Sequence, residues 1–267
     1  MLEVSKVYWK EAFAYRAQYY FTLLLNPLRF LVMIFVWGAI YSQNSIDAIQ
    51  GYSYENLITY FILTNISFTL IYNQVTEKME EYNKKGDFMV FMIKPWSFFK
   101  LSLVMTISKR IFAIFAEILP LLIILLLFFK DYFIFGNLPL YIVSIGLAFL
   151  ISYLLAMIIG AFAFWMVSIR SLTWLLNFIM SIFAGLYVPI TFFPGALVRV
   201  LDLLPFKYMI FVPINIYLGK IPISIENGFF GSVWHSLSIQ IFWCLALYFI
   251  VVVFWKISLK KFGGVGA

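Results

Sequence analysis

The sequence predicts an all-α integral membrane protein. It would have six transmembrane helices, an N-terminal interfacial amphipathic helix, a charged cytoplasmic helix after helix two, and short extracellular helices between helices five and six. Three observations predict this. Mean hydropathy is +0.98. Of the 267 residues, 64% are hydrophobic and only 12% charged, more apolar surface than a soluble fold with its polar exterior can hide. The apolar residues also form long unbroken runs rather than the alternation of barrel strands, and in lipid only helices or closed barrels satisfy their own backbone.

A helix rises about 1.5 Å per residue, so roughly 20 residues cross a hydrocarbon core of about 30 Å. On that ruler the spans fall at 27–41, 54–74, 111–129, 140–167, 172–193 and 237–255. The fourth is long enough to tilt or project. Basic residues set the orientation. One side holds Lys6, Lys10 and Arg16; Lys78, Lys84, Lys85, Lys94, Lys100, Lys109 and Arg110; Arg170; and Lys256, Lys260 and Lys261. The other side holds only Lys130, Arg199, Lys207 and Lys220. The richer side is cytoplasmic, so both termini lie inside, as an even number of spans requires. Residues 1–267 form one multi-pass domain of the cell (inner) membrane.

In residues 1–25, Val4, Tyr8, Ala12, Tyr15 and Tyr19 recur at helical spacing, with Glu3, Lys6 and Lys10 on another face. That pattern fits a helix lying in the headgroup layer. The charges scattered through the first 18 residues do not make a cleavable signal. Asn26-Pro27 reads as a helix start, with Asn as N-cap and Pro at the first helical position. Arg29 then snorkels at the boundary. The competing reading is one long kinked helix from about Tyr15, with Arg29 buried.

Residues 77–99 are the most charged part of the chain. Glu77, Lys78, Glu80, Glu81, Lys84, Lys85 and Asp87 fall within eleven positions. Glu80 and Lys84 are four apart, as are Glu81 and Lys85, with the acid first, the better order on a helix. Gly86 is placed to end that helix. Asp87 caps a second short helix over 88–93, which Lys94-Pro95 terminates. Trp96, Phe98 and Phe99 suit an interfacial aromatic belt. The segment is either a solvated connector or a docking element; Met79, Tyr82, Phe88, Met89 and Phe91 between the charges favour docking.

Within the spans, Glu117 stands out, followed by Pro120. An intramembrane acid is costly, so Glu117 is either a carboxylate in a transport path or a structural partner of Lys109, Arg110 or Arg29. Ser152, Ala156 and Gly160 make a small-residue stripe that reads as packing within the chain. The extracellular segment 194–236 contains Pro205, Pro213 and Pro222 and is too broken for a span. Its many apolar residues predict short, partly re-entrant helices. Trp165, Trp174, Trp234 and Trp255 read as anchors or packing.

The net charge of +7 marks membrane flanks rather than a nucleic-acid partner. Cys244 and His235 are each the single residue of their kind, a poor basis for a metal site or a disulfide.

Two stretches carry a family resemblance. Residues 80–99 read EEYNKKGDFMVFMIKPWSFF, and residues 188–220 read VPITFFPGALVRVLDLLPFKYMIFVPINIYLGK. Together with the spans they resemble the permease subunits of type-two ABC exporters, in particular a bacterial ABC-2 branch of uncharacterised substrates. The family's acidic stretch, glycine and Lys/Arg-Pro pair match Glu80, Glu81, Gly86, Lys94 and Pro95. Its later motifs match Phe193-Pro194, Leu204-Pro205-Phe206, Pro213 and Leu218-Gly219-Lys220. The resemblance covers nearly the whole chain.

The resemblance implies that a second permease copy or a paralogue completes the translocation path. Separate ATP-binding subunits would carry ATP and Mg, so this chain binds no cofactor directly and is not itself an enzyme. Residues 77–99 would couple to those subunits, through Glu77, Glu80, Glu81, Tyr82, Lys84, Lys85, Gly86 and Asp87. Pro205, Phe206 and Pro213 become a candidate outer gate. No G-x-x-x-x-G-K-[ST] loop occurs in the sequence, in keeping with a motor on another polypeptide. Three other classes remain: an ion- or proton-coupled secondary transporter, which calls for repeated halves and midplane ionisable groups; a membrane enzyme, which calls for a clustered catalytic set; and an assembly factor.

Overall fold

The computed structural model describes residues 16–44, 47–86, 98–128, 130, 134–166, 168–223 and 229–261. The regular elements among these residues are all helices, and the one β contact among them is an isolated bridge between Ile49 and Tyr52. In chain order the helices are α1 (Arg16–Asn44), α2 (Tyr54–Ile71), α3 (Val75–Lys85), α4 (Phe98–Ala113), a π turn (Ile114–Ile118), α5 (Leu119–Phe128), α6 (Leu138–Ala161), α7 (Arg170–Phe183), α8 (Gly195–Asp202), α9 (Phe211–Tyr217) and α10 (Val233–Lys261). Short 3₁₀ turns lie at Phe162–Phe164, Ile190–Phe192 and Phe206–Tyr208.

Three helices among the described residues are long and apolar enough to cross a bilayer: Phe98–Phe128, Leu138–Phe164 and Val233–Ser258. A shorter apolar stretch covers Leu31–Gln43. They correspond to the predicted third, fourth, sixth and first spans.

Helix α6 is the central post. It packs against α10, α3, α9 and α2, and half of its most apolar stretch is buried, against 22% for the other two long helices. Asn137 caps it by accepting from the Leu140 N–H at 3.2 Å, with Pro139 in the first turn, both favourable at a helix start. A polar zipper joins α6 to α10. Ser144 Oγ donates to Gln240 Oε1 at 3.0 Å, and Gln240 Nε2 donates to the carbonyls of Ser144 at 3.1 Å and Tyr208 at 2.8 Å. Gln240 is fully buried, and its amide is satisfied within the protein as burial demands.

The structure departs from the hydropathy ruler at three places. First, α1 runs unbroken from Arg16 through Asn26 and Pro27. A boundary between an interfacial helix 1–25 and a separate first span is therefore not seen; the competing single-helix reading fits better. Proline removes one intrahelical bond, a loss membrane helices absorb when the surroundings re-satisfy the backbone. Arg29 lies inside this helix; its side chain, like residues 1–15, falls outside the described residues.

Second, the helix of the third span begins at Phe98, well before residue 111. Phe98 is a packed residue, stacked on Trp255 at 5.7 Å with the planes 9° apart, and not part of an exposed belt. Third, the fifth predicted span is not one helix. α7 stops at Phe183, and the Leu186 N–H turns back to the Ser181 carbonyl at 3.1 Å. Irregular apolar chain follows and is held by protein: the Tyr60 hydroxyl donates to the Gly185 carbonyl at 2.6 Å, and the Phe211 N–H to the Ala184 carbonyl at 3.0 Å. Hydropathy registers apolarity, not helicity, so covered irregular backbone reads like a span.

Candidate functional site

The charged stretch folds as α3, for reasons visible in its residues. Glu77 sits in the first turn and Lys84 and Lys85 in the last, each complementing the helix dipole. Lys85 Nζ lies 2.7 Å from Glu81 Oε1, and Lys78 Nζ lies 3.2 Å from Glu81 Oε2. Gly86 takes the left-handed conformation at φ +74° and closes the helix with its N–H on Asn83 and Tyr82, as the sequence predicts. Asp87 and the second short helix expected over 88–93 lie outside the described residues.

One face of α3 is buried: Val75, Thr76, Met79 and Glu80. Met79 is fully enclosed because Gly160 on α6 gives it room; a Cβ there would stand 2.4 Å from Met79 Sδ. Burying such a side chain contributes about 1.5–3 kcal/mol. Higher up, Asn73 Nδ2 donates to Ser152 Oγ at 3.0 Å. The small-residue stripe of α6 thus seats the charged helix, a packing role within the chain.

Glu80 is the pivot. Its side chain is 11% exposed and is taken up internally. Oε1 accepts from the Lys84 ammonium and from Ser168 Oγ at 2.8 Å. Oε2 accepts from the Ile169 N–H at 3.3 Å. Ile169 is the N-cap position of α7, so a carboxylate on one helix meets the N-terminus of another, where negative charge is favoured. One turn on, Asn83 Nδ2 donates to the Ala163 carbonyl at 2.6 Å. α3 therefore grips the α6–α7 connection near both of its ends.

Burial, the largest single influence on Glu80, pushes its pKa up. The hydrogen bonds from Lys84 and Ser168, the charge of Lys84 and the Ile169 N–H together outweigh it and hold the pKa below the ordinary value. Glu81 is also lowered, first by its bond from Lys85 and then by that from Lys78.

Beside this clasp, α3 and α7 border an open cleft of about 420 Å³. Glu77, Glu81 and Lys84 line one wall and Arg170 and Trp174 the other. Trp174 is 67% exposed and stacked on Phe178 at 5.5 Å. Tyr82 turns its edge to Phe98 at 6.0 Å, and Glu77 accepts from Thr76 Oγ1 at 2.8 Å. An exposed aromatic rimmed by both signs of charge is the composition of a binding surface.

The other predicted residues lie apart from this site. Glu117 is half-buried in the π turn, where the Leu119 N–H reaches back to the Ile114 carbonyl. Pro120 has no N–H and crowds the turn before it, and a π turn relieves such strain. The Arg110 charge reaches Glu117, in keeping with the structural role. Pro205 and Pro213 are buried and Phe206 half-buried. Every residue of α9 is buried.

Sequence reasoning missed Ser168 and Ile169, which complete the clasp, and Asn215, Tyr52 and Gln240, which pin the opposite end. Asn215 and Gln240 were visible as lone amides in apolar runs. Ser168 carried no signal, because its role depends on a contact 88 positions away.

Long apolar helices, a central post and a charged helix clasped to a helix connection define a multi-pass membrane protein. The family model for ABC-2 family transporter proteins matches residues 28–266. The chain belongs to that family, and is a membrane permease of the ABC-2 type. No curated protein and no solved structure matches it.

Proposed function

We propose that this chain is the transmembrane subunit of an ATP-driven exporter. It crosses the membrane six times with both termini cytoplasmic and forms the translocation path with a second permease, either a copy or a paralogue. Separate ATP-binding subunits bind ATP and Mg and dock on the edge that includes α3. The observation that carries this reading is the Glu80 clasp. A partner that presses on α3 presses at once on the end of α6 and the start of α7, through Asn83–Ala163, Glu80–Ser168 and Glu80–Ile169. Glu80 acts as a positioning residue. The partner's contacts fall on Glu77, Glu81, Lys84, Lys85, Arg170 and Trp174. Glu117 pairs within the chain, and Pro205, Phe206 and Pro213 belong to an outer gate.

Purification from the native membrane tests the proposal. An ATP-binding chain should accompany this one, and photocrosslinkers at positions 85 and 174 should capture it. Capture of no ATPase from either position would overturn it.

A further inference from the structure

The chain that leads into α10 makes a tight turn at 229–232 and carries two adjacent phenylalanines on it. Gly231 takes the left-handed conformation at φ +87°, which favours glycine. Ser232 then locks the turn. Its hydroxyl donates to the Phe229 carbonyl at 2.7 Å, and its N–H donates to the same oxygen at 3.2 Å. Its Oγ also accepts from the His235 N–H at 3.3 Å, the kind of bond that caps the start of a helix. The Val233 N–H donates to the Pro222 carbonyl at 2.9 Å, so the end of the outer segment is held beside the same turn.

A turn fastened in this way still points apolar rings outward. Phe230 is 84% exposed, and Phe229, Trp234 and Ile223 are exposed as well. The ring contacts of the two phenylalanines are with each other and with His235. Phe229 and Phe230 stand edge to face at 6.2 Å, and the imidazole meets them at 5.5 Å and 5.3 Å.

Position decides what covers these rings. α10 is long and apolar enough to cross the bilayer, and little of its most apolar stretch is buried within the protein. Its exposed apolar residues Trp234, Ile241, Phe242, Leu245 and Phe249 fall within an arc of about 100°, at about 100° per residue. That arc faces lipid. By the same rule His235 stands about 20° beyond the edge of the arc at Phe242. The rings that flank His235 therefore continue the lipid-facing seam at its membrane boundary. Aromatic side chains concentrate at that boundary, and exposed rings on a fixed turn gain by leaving water.

We propose that the turn at 229–232 is a membrane hook. Its partner is the lipid surface: the rings of Phe229 and Phe230 insert into the adjoining leaflet where headgroups meet acyl chains. On the proposed orientation, with both termini cytoplasmic, this is the outer leaflet, but insertion does not depend on which side it is. The hook sets the depth and rotation of α10, as interfacial aromatic anchors do, and α10 packs on the central post α6. The Pro222–Val233 bond holds the end of the outer segment at the same level.

The test uses the full chain, purified with the partners that accompany it, in phosphatidylcholine nanodiscs. Phe230→Cys in a Cys244→Ser background carries a bimane label. Phosphatidylcholine with a nitroxide near the headgroup end of its acyl chain should quench the label strongly, and a nitroxide near the chain terminus should quench it weakly. Aqueous iodide should quench it several-fold less than bimane on Asp47→Cys, a site in the exposed α1–α2 loop. Iodide quenching equal to that at position 47 overturns the hook. Protection from both quenchers also overturns it, because protein, a second copy included, then covers the turn. A label on Ile223→Cys keeps both phenylalanines in place and supplies the decision if Phe230→Cys does not fold. That label should be shielded from iodide, and Phe229→Ser with Phe230→Ser should expose it; shielding that survives the double change counts against the proposal. The side from which Asp47→Cys labels in sealed vesicles tests the orientation separately.

Discussion

The Tyr52 hydroxyl donates to Asn215 Oδ1 at 2.5 Å across 163 positions of chain. Asn215 Nδ2 donates in turn to the Phe211 carbonyl at 2.8 Å. Lys220 lies 4.1 Å over the Tyr52 ring and donates to the Gly51 carbonyl. These contacts fasten the α1–α2 loop to α9, so α9 is locked to a helix pair far away in sequence. Tyr52→Phe leaves a buried acceptor without its donor and should cost about 1–3 kcal/mol. Tyr52→Phe with Asn215→Leu should cost less than the two single changes added together. Thermal unfolding of the four proteins checks this; strict additivity would show that the pair is not coupled.

Glu80 and Glu81 are neighbours with different burdens. Glu80→Ala strips a carboxylate from the Ser168 hydroxyl and the Ile169 N–H and should cost about 1–3 kcal/mol. Glu81→Ala breaks only partly exposed ion pairs and should cost under about 1 kcal/mol. In the purified complex the first should also sever ATPase rate from transport while the second leaves them linked. Similar effects from both would remove the distinction.

The clasp depends on pH with a definite sign. The Glu80 pKa is lowered on folding, so the folded chain binds fewer protons there than the unfolded one, and acid favours unfolding. Its contribution is complete above the ordinary carboxylate range and fades as pH falls through the lowered value. Proteolysis of the 162–169 connection should accelerate in that acidic window in the wild type. Glu80→Gln should flatten that profile.

Gly160 and Met79 should behave as a unit. Gly160→Val drives a branched side chain into Met79 and should cost about 1–3 kcal/mol. Met79→Ala makes room and should recover part of that loss, although it forfeits its own packing. A double-mutant cycle with no coupling energy would contradict the close approach of α3 to α6.

Orientation is open to cysteine labelling in a Cys244→Ser background. Lys85, with a side chain 61% exposed, should label from the cytoplasm as Lys85→Cys. Asp47, also exposed, should label from outside as Asp47→Cys. Labelling of both from one side would exclude the proposed single crossing between them.

Much of this molecule was legible in its sequence. The helix of residues 75–85 follows from its i,i+4 pairs and Gly86, because local electrostatics and a left-handed cap act within a few residues. The long apolar runs announced α5, α6 and α10 for the same local reason. The end of α7 did not show, since residues 184–193 are as apolar as a span and differ only in what covers them. The fate of Glu80 was also hidden. A charge four residues before a lysine looks solvent-facing, and only the folded connection between α6 and α7 brings Ser168 and Ile169 to it. α1 concealed its continuity behind Asn26-Pro27, a pair that signals a start when nothing else supports the backbone.

The π turn at Ile114–Ile118 inserts a residue into an otherwise regular screw. Exposed apolar side chains recur every fourth position through it, at Ile107, Ile111, Phe115, Leu119, Ile123 and Leu127. In an uninterrupted helix that repeat would wind steadily around the axis by about 40° per step. The wide turn takes back about 100° of that winding, which keeps the greasy seam pointed nearer one direction from end to end. Deleting one residue between 114 and 118 would leave the helix almost the same length and swivel its outer half away from its lipid neighbours.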